Sequence, residues 1–147
     1  MNKLTSIFIG LAVLVGLFFF LSQPPQGDTS TAAGFDIPTD FYNYDLVFYW
    51  GDGCPHCQNV DTWLTNNNKD KKLKILSREI YQDKNNQQEL LNLVTKFCPE
   101  LLKGGGIGVP TSFDPVGQKC IQGDTPIIEF LSEKLKLEIM SLKKKEK

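Results

Sequence analysis

The stretch Leu46-Val47-Phe48-Tyr49-Trp50-Gly51-Asp52-Gly53-Cys54-Pro55-His56-Cys57 decides how this chain is read. Its first five residues are apolar or aromatic without interruption. A short run of that kind predicts a strand over residues 45–50 buried on both faces, hence central and parallel to a neighbour. Gly51-Asp52-Gly53 then turns the chain. Pro55 suits the first position of a helix, where its missing N–H would have had no partner. From there to about residue 67, Cys57, Val60 and Leu64 share one helical face, with Trp63 beside it. Trp50 and Trp63 are read as packing residues.

Two cysteines at a helix start carry a definite chemistry. The spacing puts both sulfurs on one side of the first turn, within reach of a disulfide. The helix start offers free N–H groups and the positive end of the dipole, which stabilise a thiolate, and the thiolate is the reactive form. His56, when protonated, adds to that. Cys54 is expected to be exposed and nucleophilic, and Cys57, one turn in, to be the enclosed resolving thiol. The competing uses of the pair are weaker. Zinc needs four ligands, and the chain has four Cys and one His. Cys98 and Cys120 are isolated, and His56 is poorly placed to join its two flanking cysteines on one tetrahedral ion. A zinc or copper carrier is thus a minor alternative, and no metal or organic cofactor is expected. A purely structural bridge gains little from so short a loop. A non-catalytic binding module is the remaining alternative.

Working outward, residues 73–81 intersperse Lys74, Arg78 and Glu79 among apolar positions, which predicts a more exposed strand at a sheet edge. Residues 85–97 place Leu90, Leu91, Val94, Phe97 and Cys98 on one helical stripe, and Pro99 ends it. Gly104-Gly105-Gly106 makes a loop. Short strands follow around residues 111–113 and 118–121, joined by Asp114-Pro115-Val116-Gly117. Thr125 is the expected cap of a last helix, with Pro126 at its first position.

A CxxC after a buried strand, followed by Val109-Pro110-Thr111, resembles the thioredoxin superfamily. The lack of an extra first strand and the segment Lys119-Cys120-Ile121-Gln122-Gly123-Asp124 look most similar to its glutaredoxin branch. The resemblance covers about residues 45–137. It implies a thioredoxin-like α/β fold, a four-stranded mixed sheet flanked by helices in the order β-α-β-α-β-β-α. It implies a cis Pro110 lying against the CxxC, with Val109, Pro110 and Thr111 shaping a substrate groove. It implies a thiol–disulfide oxidoreductase working through Cys54 and Cys57. The middle pair Pro55-His56 is similar to that of disulfide-introducing oxidases and not to the Gly-Pro of thioredoxins. Stabilising the reduced form makes a pair more oxidising. Two positions depart from the glutaredoxin pattern. Gln122-Gly123 stands where two glycines are usual, and Asp52 where a basic residue is usual. Both features help hold glutathione, so the expected partners are protein thiols and disulfides, with glutathione left open.

Outside this region, residues 4–21 run without a charge after Met1-Asn2-Lys3. Such a helix would be about 27 Å long, close to a hydrocarbon core. The reading is an uncleaved signal anchor over residues 1–21, a transmembrane helix with its N-terminus cytoplasmic and the domain extracytoplasmic. Residues 22–40, rich in Ser, Thr, Gln, Gly and Pro, read as a flexible linker. Residues 41–142 form the domain, and 143–147 a basic tail. Net charge is −1 and mixed along the soluble part, which excludes the clustered basic field of a nucleic-acid binder. Cys98 and Cys120 are either two buried core thiols or a second disulfide, which an oxidising space would favour.

Overall fold

A computed structural model describes residues 35–145. A 3-10 turn, Thr39–Asn43, leads into β1, Leu46–Trp50, followed by α1, Pro55–Asn67, and β2, Ile75–Glu79. Next come α2, Lys84–Phe97, a second 3-10 turn, Pro99–Gly104, the strands β3, Thr111–Asp114, and β4, Lys119–Gln122, and finally α3, Asp124–Lys145. The sheet order is β2-β1-β3-β4. β1 runs parallel to β2 and antiparallel to β3, and β3 and β4 pair antiparallel. That connectivity is the thioredoxin-like one.

The alternation along β1 divides the interior. Leu46 and Phe48 pack on one face with Val60 of α1 and Ile127 and Leu131 of α3. Val47 and Tyr49 pack on the other with Leu90, Leu93 and Val94 of α2. Fully burying such a side chain contributes about 1.5–3 kcal/mol, so an unbroken apolar strand belongs at the centre, covered on both sides. Tyr49 also carries a hydroxyl into this interior. It donates to Glu89 of α2 at 2.9 Å, and Glu89 in turn pairs with Arg78 of β2 at 3.3 Å. Burial, and then the Glu89 carboxylate, push the Tyr49 phenol far above its ordinary range, so the buried hydroxyl stays a donor.

β2 is the edge strand expected, but shorter than residues 73–81. Its ends are taken by side chains. Asn68 brackets Leu73, accepting its N–H at 2.9 Å and donating to its carbonyl at 2.8 Å. At the other end the Glu79 carboxylate accepts the N–H groups of Tyr81, Gln82 and Asp83 and turns the chain into α2. Gln118, expected in a strand, has φ 48° and belongs to the turn, so β4 starts one residue later. The last helix begins at Asp124, not after a Thr125 cap. Gly123, at φ 94°, makes the bend ahead of it.

The outer boundaries also differ from the sequence reading. Phe35 and Ile37, within the stretch read as linker, pack against the α2-side core, because apolar side chains there find a face to cover. α3 runs without a break into the stretch read as basic tail. The apolar stretch at residues 4–21, read as the membrane anchor, lies outside the described residues. Among the described residues no helix is long and apolar enough to cross a membrane.

Candidate functional site

Cys54 is the N-cap of α1, with Pro55 at the first helical position. The backbone there is extended, φ −78° and ψ 112°, so the side chain folds back over the open first turn. Its Sγ accepts the Cys57 N–H at 3.1 Å. Sulfur here takes the place that a serine or aspartate oxygen fills at other helix starts. Cys54 and Cys57 are joined in a disulfide, with Cα atoms 5.3 Å apart. Cys57, 4% exposed, is enclosed as expected, whereas Cys54, at 8%, is more enclosed than the sequence suggested. Cys54 keeps the greater access, but the expectation of an exposed thiol is corrected. The reason is packing. Both sulfurs lie in the core cluster of Phe48, Val60 and Ile127.

A cavity of about 200 Å³ borders both cysteines and is lined also by Phe48, Trp50, Asp52, Gln58 and Asp61. The Gly51-Asp52-Gly53 turn that forms one wall is held from outside the helix. The Asp52 N–H reaches Glu79 at 3.4 Å. The Tyr81 ring lies against Gly51, so a Cβ there would displace it. Some desolvation raises the Glu79 pKa, but the N–H groups of Gln82, Tyr81, Asp83 and Asp52 together outweigh it, so the carboxyl lies below its ordinary range.

Pro110 is buried, and the Val109–Pro110 peptide is cis. The Val109 carbonyl oxygen lies 3.9 Å from the Cys54 sulfur. Bonded to Cys57, that sulfur has no proton to donate; only a reduced thiol could use this oxygen as an acceptor. Three hydrogen bonds fix the loop around Pro110. Thr111 Oγ1 donates to the Gly108 carbonyl at 2.6 Å, Gln122 Nε2 to the same oxygen at 3.3 Å, and the Gly123 N–H to the Pro110 carbonyl at 2.9 Å. Of Val109, Pro110 and Thr111, Val109 meets the CxxC directly, through its carbonyl and by packing against the cluster that holds both cysteines.

His56 points its exposed ring toward α3. Its Nδ1 lies 3.0 Å from Asp124 Oδ2, and Asn59 Nδ2 donates to the same oxygen at 2.6 Å. The Thr125 N–H donates to Oδ1 at 2.9 Å. The Asn59 bond first, then the His56 bond, pull the Asp124 carboxyl down from 3.8 to about 2. Sequence reasoning placed His56 in the site but missed Asp124, Asn59, Glu79 and Tyr81. Asp124 had one readable signal, its place just before a helix; nothing local pairs it with a histidine 68 positions away.

Cys98 and Cys120 form a second disulfide, Cα atoms 6.0 Å apart, joining the end of α2 to β4. It belongs to the α2-side core, away from the cluster around Cys54. Among the described residues no group of three or more His, Cys, Asp or Glu is arranged to hold a metal.

No protein-family model matches the chain, and no curated protein matches it. Among solved structures it is similar to the crystal structure of a buckwheat glutaredoxin–glutathione complex. That likeness has 20% identity, covers 67% of this chain and 79% of that one, and has a TM-score of 0.44.

Proposed function

We propose that this protein is a thiol–disulfide oxidoreductase that cycles Cys54 and Cys57 between dithiol and disulfide. The observation that carries the reading is the Cys54–Cys57 bridge at the first turn of α1, with Cys54 Sγ receiving a helix-terminal N–H. A hydrogen bond to sulfur strengthens when the acceptor is an anion. The free N–H groups and dipole of α1 therefore favour the thiolate that exchange requires.

In the oxidising direction a substrate thiolate attacks Cys54 Sγ. The Cys54–Cys57 bond breaks, a mixed disulfide forms, and the electron pair leaves on Cys57 as a thiolate. A second substrate thiolate then attacks the substrate sulfur of the mixed disulfide and expels Cys54. The substrate leaves with a disulfide, and its two electrons stay on the dithiol. The reverse sequence, begun by Cys54 attacking a substrate disulfide, reduces the substrate. Pro55-His56 supports the oxidising direction, because the ring, when protonated, would stabilise the reduced pair. Val109, Pro110 and Thr111 would flank the incoming sulfur.

The partners are protein thiols and disulfides, with glutathione as the small-molecule candidate. The compartment we propose is extracytoplasmic, with the domain tethered by a helix over residues 4–21. Two observations support it: that apolar run, and a second disulfide in a chain whose four cysteines are all paired, since disulfides persist in oxidising spaces.

The test is trapping. Cys57→Ser should accumulate mixed disulfides between Cys54 and a thiol-bearing model peptide, because the resolving thiol is gone. Cys54→Ser should accumulate none. Equal trapping by both variants, or by neither, would sink the reading.

A further inference from the structure

Among the described residues His56 has one tethering partner, Asp124, 68 positions along the chain. Asp124 opens α3, directly after the Gly123 bend, and its Oδ2 meets His56 Nδ1 at 3.0 Å. The carboxylate does not depend on the ring for its place. Asn59 Nδ2 holds the same oxygen at 2.6 Å and the Thr125 N–H holds the other at 2.9 Å. The Gly123 N–H, one residue earlier, ties this bend to the Pro110 carbonyl at 2.9 Å. The acceptor is thus built into the junction of α1, α3 and the Pro110 loop before the ring arrives. The ring is the loose member: the His56 side chain is 70% exposed, against 20% for Asp124.

We propose that Asp124 is a positioning residue for His56, fixing the imidazole as its Nδ1–H tautomer and holding it at the CxxC, so that its effect on the Cys54 thiolate depends on Asp124. The inference rests on the oxidoreductase reading of Cys54 and Cys57. An ionised carboxylate only accepts, and Asp124, held near 2, is ionised at neutral pH. The shared proton therefore sits on Nδ1, and Nε2 is the nitrogen left to the solvent and the substrate. An untethered exposed imidazole samples several rotamers and favours the other tautomer. Its mean field at Cys54 falls accordingly.

Asp124 acts through the ring, so its removal is informative only in pairs. The equilibrium between the Cys54–Cys57 disulfide and the dithiol is measured against a glutathione redox buffer at pH 7. The proteins are the wild-type chain, Asp124→Ala, His56→Ala and the double variant. A full charge at a helix terminus is worth about a two- to fivefold change in such an equilibrium, which is the upper bound for the effect of the ring. Asp124→Ala in the wild-type background should shift it toward the disulfide within that bound, and by the same factor as His56→Ala. In the His56→Ala background it should change nothing. A shift of equal size in both backgrounds would mean that the carboxylate acts on sulfur directly. No shift in either would leave Asp124 a purely structural residue. Either result overturns the proposal.

A second readout needs no redox activity. The chain has a single histidine, so ring ¹⁵N shifts of a histidine-labelled sample report His56 alone. The wild type should show protonated Nδ1 in the neutral ring. Asp124→Ala should revert to the Nε2–H form of a free imidazole, and Asp124→Asn, which keeps an acceptor oxygen, should retain part of the Nδ1–H population. An unchanged tautomer in Asp124→Ala overturns the positioning role even if exchange is intact. Absence of exchange in all four proteins with the tautomer shift present would instead sink the oxidoreductase reading.

Discussion

The two disulfides of this domain are built on opposite logics. Cys54–Cys57 spans three residues at the open start of a helix, beside a cavity, with backbone N–H groups and a tethered histidine around it. Cys98–Cys120 spans 22 residues and ties the end of α2, where Cys98 is 1% exposed in an apolar cluster, to the half-buried Cys120 of β4. Loop entropy assigns the longer bridge about 3 kcal/mol of stabilisation and the shorter one under about 2 kcal/mol. Electrostatics assigns the opposite order of reactivity. A sulfur at a helix start, facing free N–H groups, is a good leaving group as thiolate; Cys98 sits at the C-terminal end of α2, where the dipole is negative. The same bond type therefore serves two ends. One bridge is placed where breaking it costs little, the other where breaking it loosens the fold.

The sharpest way to break this comparison is to delete each bridge and follow exchange. Cys54→Ala with Cys57→Ala should abolish all thiol–disulfide exchange with a peptide substrate, while Cys98→Ala with Cys120→Ala should retain it. Loss of exchange in the second pair alone would reverse the assignment of roles. Stability should move the other way. By denaturant titration the Cys98/Cys120 double variant should lose about 3 kcal/mol and the Cys54/Cys57 variant under about 2 kcal/mol. Selective reduction separates the bridges without mutation. Under limiting dithiothreitol, alkylation followed by mass spectrometry should label Cys54 and Cys57 while Cys98 and Cys120 remain paired.

The smallest effect concerns the polar surroundings of the short bridge. Asp124 is pulled from 3.8 to about 2 in the folded state. The folded protein thus releases this proton more readily than the unfolded one. The stabilisation is fully present above pH 3.8 and is lost as pH falls toward about 2. The stability difference between wild type and Asp124→Asn should be present at about pH 5 and close below 4. A difference that widens in acid would contradict the geometry around Asp124.

What the sequence by itself determined was local. The apolar run of β1, the Gly51 and Gly53 turn, Pro55 at a helix start and the stripe of α2 are periods and caps, written within one or two turns of chain. They suffice for the order of elements, the central strand and the placing of two cysteines on one helical turn. The exposure of Cys54 was misjudged because a helix start looks open until its neighbours are packed on it, and here Phe48, Val60 and Ile127 close around both sulfurs. The pairing of Cys98 with Cys120 was open between bridge and core thiols, since both readings need the same apolar surroundings; only the register Phe113↔Cys120 within the sheet brings the second sulfur under the end of α2. The bonds of Asp124 to His56 and to Asn59, and of Asp52 to Glu79, join positions 68, 65 and 27 residues apart. No repeat or propensity encodes such meetings. They exist because α3 crosses the same face of the sheet as α1, and because the edge strand ends in a carboxylate that the turn above it can reach.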